Sequence, residues 1–180
     1  MDDAARRRAL LDGSAWRDFC EALARAGDAV LAPGVPDTDV DRAEGFRHLT
    51  RLTRLAFKTA LEYGDPSAPQ LVPYMGDTQK FGIDNPDQDY LWARIAGRHR
   101  YRLSGTRGSV GYLGIGVYAG SAGRGGRRTV AHLHGEDLRL DAAGRFELLL
   151  GPGPGPEGAP FVSLPEDATT LIVRQTFGDR

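Results

Sequence analysis

The feature that most constrains the fold of this chain is a change in hydrophobic period near residue 67. Before that point, apolar residues recur at helical spacing in two stretches, residues 14–31 and 35–66. From residue 70 onward, apolar and polar residues alternate, which is the period of β-strands. The pattern therefore predicts two α-helices followed by a β domain.

The second part of the chain contains nine short segments with strand character, separated by turns rich in glycine and proline. They are residues 70–74, 90–95, 98–104, 108–118, 129–134, 138–141, 145–150, 161–164 and 170–177. Within this set, DLRLDAAGRFELLL is the clearest candidate for a β-hairpin. Because no helical pattern separates the strands, an antiparallel sandwich is favoured over a parallel sheet.

These patterns predict a mainly β protein: an antiparallel β-sandwich of jelly-roll type, preceded by two α-helices. We expect residues 1–66 to form an N-terminal helical segment packed on the sandwich, and residues 67–180 to form the sandwich domain.

Composition excludes several classes of function. The net charge of −1 provides no general attraction to nucleic acid or to an acidic membrane. No apolar run approaches the roughly 20 residues of a membrane span, and the N-terminus lacks the apolar core of a secretory signal. The single cysteine, Cys20, rules out an intrachain disulfide and is expected to be buried in a helix. We therefore predict a cytoplasmic protein with no nucleic-acid partner, no membrane span and no cofactor.

The stretch KFGIDNPDQDY, residues 80–90, has three interpretations. Its closely spaced oxygen donors suit calcium, but the spacing is not that of a helix–loop–helix calcium site. Asn-Pro-Asp is also typical of a turn, because the asparagine side chain binds nearby backbone amides. The third interpretation is a small-molecule site to which polar groups converge. Its candidate ligand-binding residues are Asp84, Asn85, Tyr90, Arg94 and Arg102.

A catalytic version of this site would use Asp87 as a general base, with Lys80 or Arg94 stabilising negative charge. Such chemistry requires that burial shift the pKa of one of these groups. Whether the protein is an enzyme therefore stays open.

His132 and His134 form a His-x-His pair in a predicted strand, so both rings project from one face. A cupin-type metal site begins with such a pair, and a metal-dependent cupin-like enzyme is a further alternative. Against it, no histidine follows His134, and Glu136 lies too close to the pair.

Several motifs carry a family resemblance. They are Asn85-Pro86-Asp87-x-x-Tyr90, Tyr101-Arg102-x-x-Gly105 and the closing VRQTF-x-D-R, together with the helical leader. With them the chain, from Trp16 to Arg180, resembles bacterial proteins of the domain-of-unknown-function 1214 family, especially its actinobacterial branch. The resemblance implies a jelly-roll β-sandwich and no particular reaction. Relatives often carry a companion domain, so a companion domain or a homo-oligomer is left open here.

Two functions follow from these observations. The first is binding of an unknown small molecule at one end of the sandwich, in an enzyme or accessory protein of small-molecule metabolism. The alternative is a non-catalytic carbohydrate-binding or assembly module, for which the basic face of residues 42–58 would be the docking surface. The role of the basic loop at Arg124–Arg128 is not indicated by the sequence.

Overall fold

The structure is a computed structural model that describes residues 2–76, 78–79, 85–121 and 126–178. Of the predicted site residues, Lys80 and Asp84 lie outside the described residues, as does Arg124 of the basic loop. Contacts divide the chain into two units, Met1–Thr53 and Arg54–Arg180. The predicted packing of residues 1–66 on the sandwich stays a prediction.

The first unit is built from helices. Helix α1 spans Asp3–Leu11, α2 spans Ser14–Asp28 and continues as a 3₁₀ turn, Ala29–Leu31, and α3 spans Asp39–Phe57. Thr38 caps α3, because its hydroxyl accepts the amide of Asp41 at 3.2 Å and donates to the Asp41 carboxylate at 2.6 Å. The two helices predicted from hydrophobic period are therefore present as α2 and α3.

Helix α1 and Cys20 differ from expectation. Only two helices were predicted, but residues 3–11 form a third helix, capped where the Asp2 carboxylate accepts the amide of Ala5 at 2.6 Å. The helix has no buried residue, so no apolar stripe marks it in the sequence. Cys20 is exposed, not buried as predicted.

The second unit is dominated by β-strands. They are β1 Val72–Pro73, β2 Gln88–Arg94, β3 Tyr101–Thr106, β4 Tyr112–Ser121, β5 Gly126–His134, β6 Arg145–Gly151, β7 Phe161–Ser163 and β8 Ala168–Thr176. A π-helical turn, Lys58–Glu62, precedes them, and its Lys58 ammonium donates to the Pro73 carbonyl at 2.7 Å. That bond joins the turn to β1.

The strands form a five-stranded sheet, in the order β1-β2-β8-β4-β5, and a three-stranded sheet, in the order β3-β6-β7. The described strands pair in antiparallel fashion, except that β6 and β7 are parallel. The predicted hairpin between residues 138–141 and 145–150 was wrong. Residues 138–141 are not a strand, because the Asp141 carboxylate accepts the amides of Ala143 and Arg145 and forms a turn.

Both sheets contribute to one hydrophobic core. Ile115 and Val117 of β4, with Leu148 and Leu150 of β6, are the most deeply buried side chains. They belong to one cluster together with Leu171 of β8. The alternating side chains of the five-stranded sheet that point away from this cluster form its outer face, and most of the predicted site residues on strands lie there.

No helix in the described residues is long and apolar enough to cross a membrane.

Candidate functional site

The outer face of the five-stranded sheet collects cationic and aromatic side chains. Strand register places Thr170 between Arg94 and Tyr118, and Arg174 between Tyr90 and Gly114. The outward positions of four strands are Gln88, Tyr90, Trp92 and Arg94 of β2, Thr170, Ile172, Arg174 and Thr176 of β8, Tyr112, Gly114, Gly116 and Tyr118 of β4, and Arg127, Thr129, His132 and His134 of β5. No Asp or Glu stands at any of these described positions.

Two glycines shape the centre of this face. A Cβ on Gly116 would lie 2.6 Å from the Tyr118 hydroxyl oxygen, and a Cβ on Gly114 would lie 2.7 Å from that of Tyr112. Each tyrosine ring therefore lies along β4 over the neighbouring glycine, in space that any side chain would fill. Gly114 and Gly116 therefore allow close packing of tyrosine rings along β4.

A cleft opens at one end of the outer face, where β2 and β4 end and β5 and β8 begin. We call it the arginine cleft, and its volume is about 250 Å³. It is lined by Thr59, Tyr74, Trp92, Arg94, Gly120, Ser121, Arg127, Thr169 and Thr170. The rings of Tyr74 and Trp92 are stacked, with centroids 6.3 Å apart, and form an apolar wall.

The two guanidinium groups of the arginine cleft have no carboxylate partner among the described residues. Arg127 lies over the ring of Tyr118, 4.0 Å from its centroid, in a cation–π contact. By contrast, the next residue on β5, Arg128, forms an ion pair with Asp167 at 2.6 Å. A guanidinium has five donors, so Arg94 and Arg127 keep hydrogen-bonding capacity for an anion.

Polar contacts also organise the cleft. The Thr169 hydroxyl donates to the Gly120 carbonyl at 2.8 Å and so ties the start of β8 to the end of β4. Burial raises the pKa of the Tyr74 hydroxyl, which the charge of Arg127 partly opposes. Tyr74 therefore stays a neutral hydrogen-bonding group at physiological pH.

Beyond Tyr118, the outer face continues as a tyrosine–histidine patch made of Tyr90, Tyr112, His132, His134 and Arg174. The Tyr112 hydroxyl lies 3.2 Å from Nε2 of His132, and the two histidine rings are stacked with centroids 4.9 Å apart. Arg174 donates to the Tyr118 hydroxyl at 2.9 Å. Burial, followed by the charges of His134 and Arg174, lowers the pKa of His132.

Among the described residues, the patch has fewer ligands than a protein metal centre requires. Within the described part of the chain, no group of three His, Cys, Asp or Glu side chains could hold a metal ion. The predicted His132–His134 pair does share a face, as the His-x-His spacing implies, but a third ligand of these types is not found beside it in these residues.

Of the predicted loop, the described residues 85–87 lie at the opposite end of β2 from Arg94. The Asn85 side chain accepts the amide of Asp87 at 2.9 Å, and the Asp87 carbonyl accepts the amide of Phe177 at 2.9 Å. Asn85 and Asp87 are exposed and form the turn that starts β2. The length of β2 separates this turn from Arg94 by about 20 Å.

The remaining predicted residue, Arg102, belongs to the other sheet. It lies on β3, where its guanidinium is 3.8 Å from the Glu147 carboxylate, and it lines a different cleft of about 240 Å³. Its neighbour Tyr101 has a structural contact: the hydroxyl accepts the Ala96 amide at 2.8 Å and donates to the Pro66 carbonyl at 2.9 Å. The described predicted residues are thus divided among four places: the Asn85 turn, the arginine cleft, the tyrosine–histidine patch and the cleft beside β3.

Arg127, Arg174 and Tyr118 were not among the predicted site residues. Arg127 was read only as part of a basic loop, although it lies at the start of β5. The sequence does contain one signal for this site: the outward positions of β2, β4, β5 and β8 include no acidic residue. Using that signal requires the strand register, which pairs residues more than 50 positions apart.

No protein-family model and no curated protein sequence matches the chain. The chain is similar to the crystal structure of an uncharacterized protein from Burkholderia cenocepacia, with a TM-score of 0.89 and 38% sequence identity over 96% of this chain. The similarity covers 48% of the Burkholderia chain, so this chain spans about half the length of that protein. The matched part of that protein has the same fold as this chain.

Proposed function

We propose that this chain is a β-sandwich of jelly-roll type that binds a small organic carboxylate in the arginine cleft. The observation that carries the proposal is the presence of two guanidinium groups without carboxylate partners, Arg94 and Arg127, in one cleft beside an aromatic wall. Guanidinium groups bind carboxylates through paired hydrogen bonds, and an apolar wall accommodates the body of an organic acid.

The size and lining of the cleft support a small ligand. A volume of about 250 Å³ is slightly below the usual range of about 300–1,000 Å³ for ligand sites, which favours a small metabolite over a polymer. The hydroxyls of Ser121, Thr169 and Thr170 add polar contacts around the same cavity. This chemistry agrees with the predicted small-molecule partner, and it uses Arg94 from the predicted ligand-binding set.

The family and the setting of the protein are part of the same proposal. The family motifs have structural roles that fit the domain-of-unknown-function 1214 resemblance: Asn85 forms a turn and Tyr101 connects two segments. The greater length of the Burkholderia protein supports a companion domain. We also propose a cytoplasmic location, since an exposed lone thiol such as Cys20 suits a reducing compartment.

Titration calorimetry with hexanoate tests the binding proposal. We expect saturable binding that weakens roughly tenfold to a hundredfold in Arg94→Gln and in Arg127→Gln, the value of a charge-assisted hydrogen bond. Arg128→Gln is the matched control, because it removes the same charge from the next residue of β5 while its side chain pairs with Asp167. Equal losses in all three variants would show only a loss of net positive charge.

Catalysis by Asp87 and Lys80 stays a separate hypothesis, since Lys80 lies outside the described residues. Asp87→Ala separates the two ideas. If the exposed turn contributes nothing to the arginine cleft, hexanoate affinity is unchanged in this variant. If Asp87 belongs to the binding site, affinity falls in a protein that keeps its thermal stability.

A further inference from the structure

We infer that the ligand of the arginine cleft carries a second acidic group, which Arg174 binds on the other side of Tyr118. The inference rests on the proposed function and specifies its ligand as an elongated dianion, such as an α,ω-dicarboxylate.

The first argument is the burial of Arg174 and the kind of partner it has. Its side chain is half-buried, and its hydrogen bond is to a neutral acceptor, the Tyr118 hydroxyl. In the described residues it has no carboxylate partner, and the ring of Tyr90 lies 5.7 Å from its guanidinium carbon. A partly desolvated guanidinium with donors to spare favours an anion from outside the chain.

The second argument is the position of Arg174 relative to the cleft. Tyr118 connects the two sites, because Arg127 lies over its ring and Arg174 donates to its hydroxyl. In strand register, Arg94 lies beside Thr170, four residues from Arg174 along β8. Four residues of a strand span about 13 Å, which one extended ligand with an acid at each end can bridge.

The third argument is electrostatic. The charged groups facing this path are Arg94, Arg127 and Arg174, with His132 and His134 at its far side. The carboxylate of Asp137, close to the histidines, accepts the His134 amide at 2.7 Å. A path bordered by three cations and no outward carboxylate favours a ligand with two negative charges over one.

The test compares matched acids by titration calorimetry: hexanoate with adipate, octanoate with suberate, and decanoate with sebacate. We expect at least one diacid to bind about tenfold or more tightly than its monoacid, as one added charge-assisted contact allows. Arg174→Gln should reduce that diacid to the affinity of its monoacid and leave monoacid binding unchanged.

Two further variants keep the result interpretable. Arg174→Lys keeps the charge and should retain part of the diacid preference, whereas Arg128→Gln should retain all of it. If Arg174→Gln does not fold, as judged by circular dichroism, the lysine variant and the acid series in the unmodified protein decide the matter.

The outcomes separate this inference from the proposed function. Monoacid binding with no diacid preference at any length would overturn the inference and leave the proposed function in place. An equal loss of monoacid and diacid binding in Arg174→Gln would also overturn it, because the two sites would then not be distinct. Absence of binding by every acid would overturn both.

Discussion

The two ends of strand β2 both carry polar residues but use them differently. At its start, the Asn85 side chain accepts the Asp87 amide, and the Asp87 carbonyl accepts the amide of Phe177, which follows β8. At its end, Arg94 projects into a cleft where neither it nor Arg127 has a carboxylate partner in the described residues. Both ends are polar, but only at the second do the unpaired groups line a cleft beside an aromatic wall.

This difference shows what separates a turn from a binding site. Polar side chains that cap backbone amides stabilise the fold, and little of their capacity is left for a ligand. Exposed cations that line a cavity without a counter-charge keep their hydrogen-bond donors for an anion. To recognise a binding site, the charge and hydrogen-bond partners of each residue are therefore more informative than the number of polar residues in one stretch of sequence.

The largest expected effect is the loss of hexanoate binding when both guanidinium groups of the arginine cleft are removed. In the double variant Arg94→Gln/Arg127→Gln, affinity for hexanoate should fall by roughly a hundredfold or more, because two charge-assisted contacts are lost. Titration calorimetry measures the change. If the double variant binds hexanoate as tightly as the unmodified protein, the arginine cleft is not the binding site and does not differ from the Asn85 turn in this respect.

The next largest effect concerns the packing of the Tyr118 ring beside the arginine cleft. In Gly116→Ala, the added Cβ would lie within 2.9 Å of three atoms of the buried Tyr118 ring, so the ring must move. Overpacking of this kind costs about 1–3 kcal/mol of unfolding free energy, measured by urea denaturation. Carboxylate affinity should also fall, since Arg127 rests on that ring. An unchanged stability would mean that the ring is not held over Gly116.

At the other end of β2, a substitution in the Asn85 turn should lower stability without changing hexanoate affinity. Asn85→Ala removes one side-chain hydrogen bond to the Asp87 amide and should cost about 0.5–1.5 kcal/mol of unfolding free energy. Hexanoate affinity should not change. Asn85→Asp is the control, because it keeps the acceptor oxygen. Loss of affinity in Asn85→Ala with full affinity in Arg94→Gln would reverse the comparison.

The smallest effect concerns pH. Burial and the nearby charges of His134 and Arg174 lower the pKa of His132 below its usual value of 6.5. Between those two pKa values the unfolded chain binds more protons than the folded chain, so the free energy of unfolding falls as pH decreases through this window. His132→Gln should flatten that pH dependence slightly. An NMR titration giving His132 a pKa above 6.5 would contradict the sign.

Much of the fold could be predicted from the sequence because the patterns are local. Helices α2 and α3 follow from apolar spacing, and eight of the nine predicted strands correspond to strands in the structure. Helix α1 was missed because it depends on a cap at Asp2 and buries nothing. Residues 138–141 were taken for a strand because Leu138 and Leu140 alternate, although the Asp141 carboxylate makes a turn there.

The candidate site was less predictable because it depends on strand pairing. Arg94 was named for its closeness in sequence to the Asn85 turn, but β2 carries it to the far end of the sheet. Its neighbour in the cleft, Arg127, comes from a strand that begins 32 residues after β2 ends, with β8 and β4 between them in the sheet. Such a placement follows from the sheet order, which apolar alternation does not encode.

A crystal structure of the protein soaked with hexanoate tests the central claim most directly. The account predicts the carboxylate of the ligand within hydrogen-bonding distance of the Arg94 and Arg127 guanidinium groups, with its alkyl chain against Trp92 and Tyr74. Hexanoate bound instead at the Asn85–Asp87 turn, with the arginine cleft empty, would contradict the account.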